Sequence, residues 1–204
     1  MVKNPAKSQL MFDALYTYIE NKSSMKLSDD ERKLVEESFK PKKLRKRQYF
    51  LQEGDVCKYM GFVIKGSSRM FSVDQRGNEH VIRLGLENWW IGDYESYKLL
   101  TPARFNIEVL EDTELLLVTN EQMQQLMDRI PAVAAMVKAM DERGAIATQQ
   151  RMHAAISLTA EERYENLAKT YPMFLQRFPQ NVIASYLGIS AETLSRIRKN
   201  AYQK

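Results

Sequence analysis

Ser195, Arg196 and Lys199 lie three, four and seven residues beyond Glu192 in this 204-residue chain, so all four fall on one face of a helix. That set has the chemistry of a base reader. Arginine pairs bidentately with guanine, glutamate accepts from cytosine N4, and lysine neutralises phosphate. Leu194 and Ile197 fall on the opposite face and would anchor the helix to a core. Ser190 stands where an N-cap belongs, its hydroxyl placed to accept from the amide of Glu192 or Thr193. Gly188 supplies the positive φ that ends a preceding helix and redirects the chain. That first helix runs from about Gln180 to Leu187, with Val182, Ile183 and Leu187 inward and the small Ala184 at the crossing. QNVIASYLGISAETLSRIRK therefore reads as a DNA-binding helix-turn-helix. A glycine-jointed helical hairpin that only packs is the alternative for these residues in isolation.

The rest of the composition narrows the function classes. A formal charge of +4 is compatible with a nucleic-acid partner and decides little alone. One cysteine, Cys57, excludes an internal disulfide, and with only His80 and His153 beside it the chain is poor in soft metal ligands. No metal site, catalytic cluster or cofactor is expected. An iron-sulfur sensor would need several cysteines. A metal-dependent β-roll enzyme would need a cluster of histidines and carboxylates. His80 reads as a strand-surface residue, Cys57 as a small buried apolar group, and at least one of Trp89 and Trp90 as core. No apolar run approaches a membrane span, and the first ten residues lack a signal-peptide core, so a cytoplasmic protein with no membrane partner is expected.

The period of the hydrophobic pattern changes twice along the chain. Ser8–Asn21 and Leu27–Phe39 read as helices, the second opening with Ser28 three residues before Glu31, a capping-box spacing. From about Lys42 to Thr119 come short β-rich runs, KYMGFVIKG, SSRMFSVD, HVIRLGL and TELLLV, with Asp74–Gly77 as a hairpin turn. Such a series suggests a sandwich or β-roll whose interior can hold a small ligand. From Asn120, a candidate cap, the pattern is helical again, and Pro131 stands at the start of a long helix. Val133, Val137, Met140, Gly144 and Ala147 follow at alternating four and three spacing. That stripe suits a helix paired with its own copy, or one packed on its own β-domain.

Helix pair, β-roll, long helix and terminal helix-turn-helix, in that order, resemble the Crp/Fnr family of bacterial transcription regulators. The resemblance rests on IASYLGISAETLSRIRK, on FVIKGSSRMFSVDQRGNEHVIRL and on WWIGDYESY. It implies an α+β fold: N-terminal helices with a double-stranded β-helix or jelly-roll effector domain over 1–130, a dimerisation helix over 131–157, and a helix-turn-helix domain over 158–204. It further implies a homodimer on a palindromic duplex, with RNA polymerase as a partner the family allows. Glu192 and Arg196 match family positions that read base edges, and Ser190, Thr193, Lys199 and Gln180 match positions suited to phosphate. Ala191 stands where well-known members carry a guanine-reading arginine, so the preferred half-site should differ. Only Asn200–Lys204 follow the recognition helix here, which leaves no clear wing.

The effector cassette departs from the family pattern. Members that bind cyclic AMP carry Gly-Glu and, about ten residues on, Arg followed by Ser or Thr. Here the stretches are Gly92-Asp93-Tyr94 and Ala103-Arg104-Phe105. Asp93 is a methylene short, Arg104 is one position late, and no hydroxyl follows it, which argues against cyclic AMP and leaves an unknown small-molecule effector or none. The basic run Lys40–Arg47 reads as a solvated strand edge or an extension of a DNA footprint. The rival function is a small-molecule sensor or protein-interaction module whose helix-turn-helix does not read DNA.

Overall fold

The computed structural model of the chain describes residues 5–201. In chain order it forms α1 (Pro5–Ser23), α2 (Asp29–Ser38), β1 (Lys40–Leu44), β2 (Tyr49–Leu51), β3 (Met60–Lys65), β4 (Ser68–Val73), β5 (Glu79–Gly85), β6 (Trp90–Ile91) and α3 (Tyr94–Leu99). There follow β7 (Asn106–Val109), β8 (Thr113–Val118), α4 (Asn120–Arg129), α5 (Pro131–Ser157), α6 (Ala160–Thr170), α7 (Pro172–Arg177), α8 (Gln180–Leu187) and α9 (Ala191–Ala201). Two compact units result: the chain up to Met70 with Leu84–Arg143, and Phe71–Arg83 with the chain from Gly144 onward. Helix α5 contributes to both.

The strands lie in two sheets, ordered β1-β8-β3-β6 and β2-β7-β4-β5. Phe62 pairs opposite Leu116 and Trp90. Its ring lies 5.1 Å from that of Tyr18 on α1. The adjacent Gly61 turns the other way, and a Cβ there would stand 3.3 Å from Phe50 of β2. One face of the first sheet thus carries α1 and the other meets the second sheet. Burial on both faces explains why Leu115, Leu116 and Val118 are all inaccessible, and why the last four residues of TELLLV are continuously apolar instead of alternating.

The four strands expected from sequence are present, and β1, β2, β6 and β7 join them. β1 lies at the edge of its sheet, where Lys43 pairs with Glu114 at 2.9 Å, so the basic run opens as a solvated strand edge. Inside the second sheet Arg69 of β4 meets Glu108 of β7 at 2.7 Å, with both side chains nearly inaccessible. Burial of two charges is tolerated because each neutralises the other and Arg69 Nε also donates to the carboxylate at 2.8 Å.

Ser28 and Glu31 close the capping box expected of α2, but α2 itself spans only Asp29–Ser38. α4 corrects a detail: its N-cap is Thr119, boxed with Gln122, and Asn120 is the first helical residue. The carboxamide of Asn120 instead accepts from Lys98 Nζ at 3.1 Å. Along α5, Val133 and Met136 are buried, and Val137 and Met140 pack against the core of the first unit. Gly144 and Ala147 are exposed, so the apolar stripe serves its own unit over its first half and is bare beyond.

In the second unit, Phe174 stacks on Tyr171 with centroids 4.9 Å apart and meets Phe178 edge-on at 5.2 Å. Leu167, Val182, Ile183, Leu194 and Ile197 complete this core. Arg163 of α6 donates to the carbonyls of Leu187 and Leu158, tying the C-terminal end of α8 to the start of α6. The β4–β5 turn is held by Asp74, whose carboxylate accepts from the Arg76 and Asn78 amides and the Asn78 carboxamide. Those bonds from Asn78, with His80 beyond, keep the Asp74 carboxyl far below the usual carboxylate range.

Gly66, between β3 and β4, has φ +111°, and a Cβ there would stand 2.9 Å from the Cα of Thr113. Backbone cannot yield as a side-chain tip can. Gly66→Ala is expected to destabilise the first unit by about 3 kcal/mol, read from the urea midpoint at unchanged m-value.

Candidate nucleic-acid interface and effector region

α8 and α9 are held in register by their connection. Gly188, φ +68°, ends α8, and the amide of Ile189 returns to the carbonyl of Ala184 at 3.0 Å. Ser190 Oγ accepts from the amide of Thr193 at 3.1 Å, which settles the partner that sequence left between Glu192 and Thr193. Leu194 and Ile197 are buried, whereas Glu192, Ser195, Arg196 and Lys199 are exposed. The expected polar face is therefore formed, with its apolar face seated in the core. Glu192 folds back toward its own amide and the Ser190 hydroxyl, which hold its carboxyl below the usual range and keep it ionised near neutrality. Gln180 is the exposed first residue of α8. Pro179 before it gives no side-chain cap, so early amides of α8 point outward with partial positive charge.

The region around α3 has a different character. Gly92 adopts φ +152°, and a Cβ there would overlap Met60 Sδ. Asp93 is the N-cap of α3 and is buried. One carboxylate oxygen accepts from the Ser96 amide at 3.2 Å and the other from the Arg104 amide at 3.3 Å. Ser96 Oγ in turn donates to the Thr101 carbonyl at 2.6 Å and accepts from the Cys57 amide at 2.8 Å. Ala103 is buried and exchanges backbone bonds with Gly54 and Asp55. Gly92, Asp93 and Ala103 thus converge on one backbone-bonded hub. Tyr94 and Arg104 do not join it. Tyr94 is exposed, and the Arg104 side chain, 75% accessible, reaches only Glu95 at 3.5 Å. The strand-facing argument for Arg104 needs correction, because Arg104 sits in a bend before β7 and is outward for that reason.

Cys57 is buried beside this hub, and burial pushes its thiol up, away from redox reactivity. Trp90 is core and His80 is a strand-surface residue 3.1 Å from Asp74. Among the described residues no group of histidine, cysteine and carboxylates is arranged to hold a metal ion. No described helix is long and apolar enough to cross a membrane.

Residues 41–130 match the cyclic nucleotide-binding domain model. The chain is 25% identical over 169 residues to the transcriptional activator protein Anr of Pseudomonas aeruginosa, covering 76% of this chain and 67% of that one. The structure of FixK2 from Bradyrhizobium japonicum superposes with a TM-score of 0.69 at 19% identity, over 81% of this chain and 85% of that one. A Crp/Fnr-family regulator from Eubacterium rectale superposes with a TM-score of 0.61 at 16% identity, over 85% and 83%. The chain shares the fold of these regulators.

Against the Crp/Fnr pattern, sequence reasoning missed the cap made by Asp93. Its signal was present in Asp93-Tyr94-Glu95-Ser96, an N-cap residue with a donor amide three positions on. It also missed Ser185 and Arg151, which hold the β4–β5 hairpin within the second unit. Ser185 Oγ bonds both the Val81 amide and the Glu79 carbonyl. Arg151 donates to the Val81 carbonyl with its guanidinium 4.1 Å from the Tyr186 ring centroid. No local pattern marks such pairings across 70 or more residues.

Asp93→Ala removes a helix cap and leaves the buried Ser96 amide and the Arg104 amide without that acceptor. A loss of about 3 kcal/mol is expected in urea unfolding, whereas Arg104→Ala should change stability by less than about 0.5 kcal/mol.

Proposed function

We infer that this chain is a homodimeric, sequence-specific DNA-binding transcription regulator of the Crp/Fnr type. The observation that carries this reading is α9 itself, with Glu192, Ser195, Arg196 and Lys199 outward and Leu194 and Ile197 locked inward. A helix so presented can enter a major groove with arginine and glutamate at base edges. Ser190, Thr193 and Lys199, with the start of α8 at Gln180, then meet phosphate. Anr is a transcriptional activator by name, which agrees with this reading.

Exposed Ile146, Met152 and Ile156 support pairing of α5 with a second copy. Met152 and Ile156, four residues apart, form a local apolar face, and burying it against its equivalent removes that surface from water. Two recognition helices related by a two-fold axis require a palindromic site with half-sites about one helical turn apart.

The effector of such a regulator is not cyclic AMP in this reading. Asp93 occupies the acidic position of the cassette, and both its oxygens already serve backbone amides. Ala103 offers no cation for a cyclic phosphate, and Arg104 faces solvent. A different small molecule or no effector fits these side chains.

Selection of duplexes from a random pool tests the reading. Wild type is expected to enrich a palindrome without added cyclic AMP. Arg196→Ala should bind it about 10- to 100-fold more weakly and lose preference at one base position per half-site. Enrichment of no sequence would favour the sensor or interaction-module alternative. Sedimentation of wild type is expected to give a dimer, and Met152→Asp with Ile156→Asp a monomer with unchanged far-UV circular dichroism.

A further inference from the structure

Arg151 of α5 is a half-buried cation that no carboxylate answers among the described residues. Its Nη2 donates to the Val81 carbonyl of β5 at 3.2 Å and to the Tyr186 carbonyl of α8 at 3.4 Å. The guanidinium lies over the Tyr186 ring, 4.1 Å from its centroid. Carbonyl oxygens and a ring face ease the charge without cancelling it. The buried arginine of the first unit is treated otherwise, since Arg69 is neutralised by Glu108 at 2.7 Å.

Arg83 brings a second positive charge to the same place. It lies two residues along β5 from Val81, hence on the same face of the strand, and it too has no ion pair among the described residues. Burial, and with it the charge of Arg83, holds the Arg151 guanidinium below its ordinary value, while Tyr186 acts the other way. Burial likewise raises the Tyr186 hydroxyl, against the pull of Arg151 and Arg83. Each of these three groups therefore lies within electrostatic reach of the other two. Two like charges held together repel, and partial removal of water strengthens that repulsion.

An oxyanion resolves the conflict. Arg151 has Nε and Nη1 unbonded to any described residue, Arg83 offers a whole exposed guanidinium, and Tyr186 adds a hydroxyl. The site is thus made of donors, and planar guanidinium forks match the oxygens of phosphate better than any other side chain does. All three residues belong to the second unit, one each from β5, α5 and α8.

We propose that Arg83, Arg151 and the Tyr186 hydroxyl form a binding site for a small phosphate-bearing anion, separate from the cassette around α3. The bound phosphate neutralises the two guanidinia and links β5, α5 and α8, so occupancy stabilises the second unit. This site stands independently of the DNA-reading function.

Titration calorimetry of the full chain with inorganic phosphate, at ionic strength held constant with chloride, tests the site. Saturable binding in the millimolar range is expected for wild type, and Arg83→Gln should weaken it about tenfold with unchanged far-UV circular dichroism. Arg83 is the cleaner position to change, because its side chain is exposed and holds no hydrogen bond among the described residues, whereas Arg151 also supports Val81. Tyr186→Phe, which keeps the ring beneath Arg151, should weaken binding about threefold. Phosphate binding that never saturates, or that is equal in wild type and Arg83→Gln, would overturn the site. Weaker duplex binding by Arg83→Gln, with no saturable phosphate binding by wild type, would assign the arginines to the DNA backbone and overturn the small-anion site as well.

Discussion

Short elements leave many backbone donors and acceptors without a ladder or helical partner, and satisfying them by side chains is the constraint on which this molecule depends. Strands of two to seven residues and helices as short as six cannot satisfy themselves. Ser28, Thr119 and Thr159 therefore box the starts of α2, α4 and α6. Asp93 joins the start of α3 to the amide of Arg104, and Ser190 opens α9. Arg163 and Arg151 take carbonyls at helix ends and at a strand edge. Each of these residues is polar, local in chemistry and long in reach.

That constraint accounts for the contrast between the two functional regions. In α9 Ser190 serves the cap, and Arg196 and Lys199 remain exposed. Around α3 the equivalent polar groups are consumed internally. Asp93 and Ser96 between them hold four backbone groups of the hub.

Much of this was legible in the sequence where the signal is local. Gly188 and Ser190, two residues apart, specify the turn and cap whatever the rest of the chain does, and Asp74–Gly77 specifies a hairpin. TELLLV was legible as a strand, but its burial on both faces needed α1 to be known. What escaped was either disguised or distant. The lysines of β1 were legible as a strand edge, whereas the Arg69–Glu108 pair is invisible until β4 and β7 come together. Thr119 lost to Asn120 in the reading because both are good caps, and only the position of Gln122 three residues beyond Thr119 separates them.

The two tryptophans of the chain, Trp89 and Trp90, both belong to the first unit, and Trp90 is buried against Phe62 and Phe39. The second unit has only tyrosines as its strong natural fluorophores, Tyr164, Tyr171 and Tyr186 among them. Emission excited at the red edge of the absorption band therefore comes from the β-roll alone, and the helix-turn-helix is spectroscopically dark. The chain carries a built-in optical label for one half of itself, with the other half left blank for a dye.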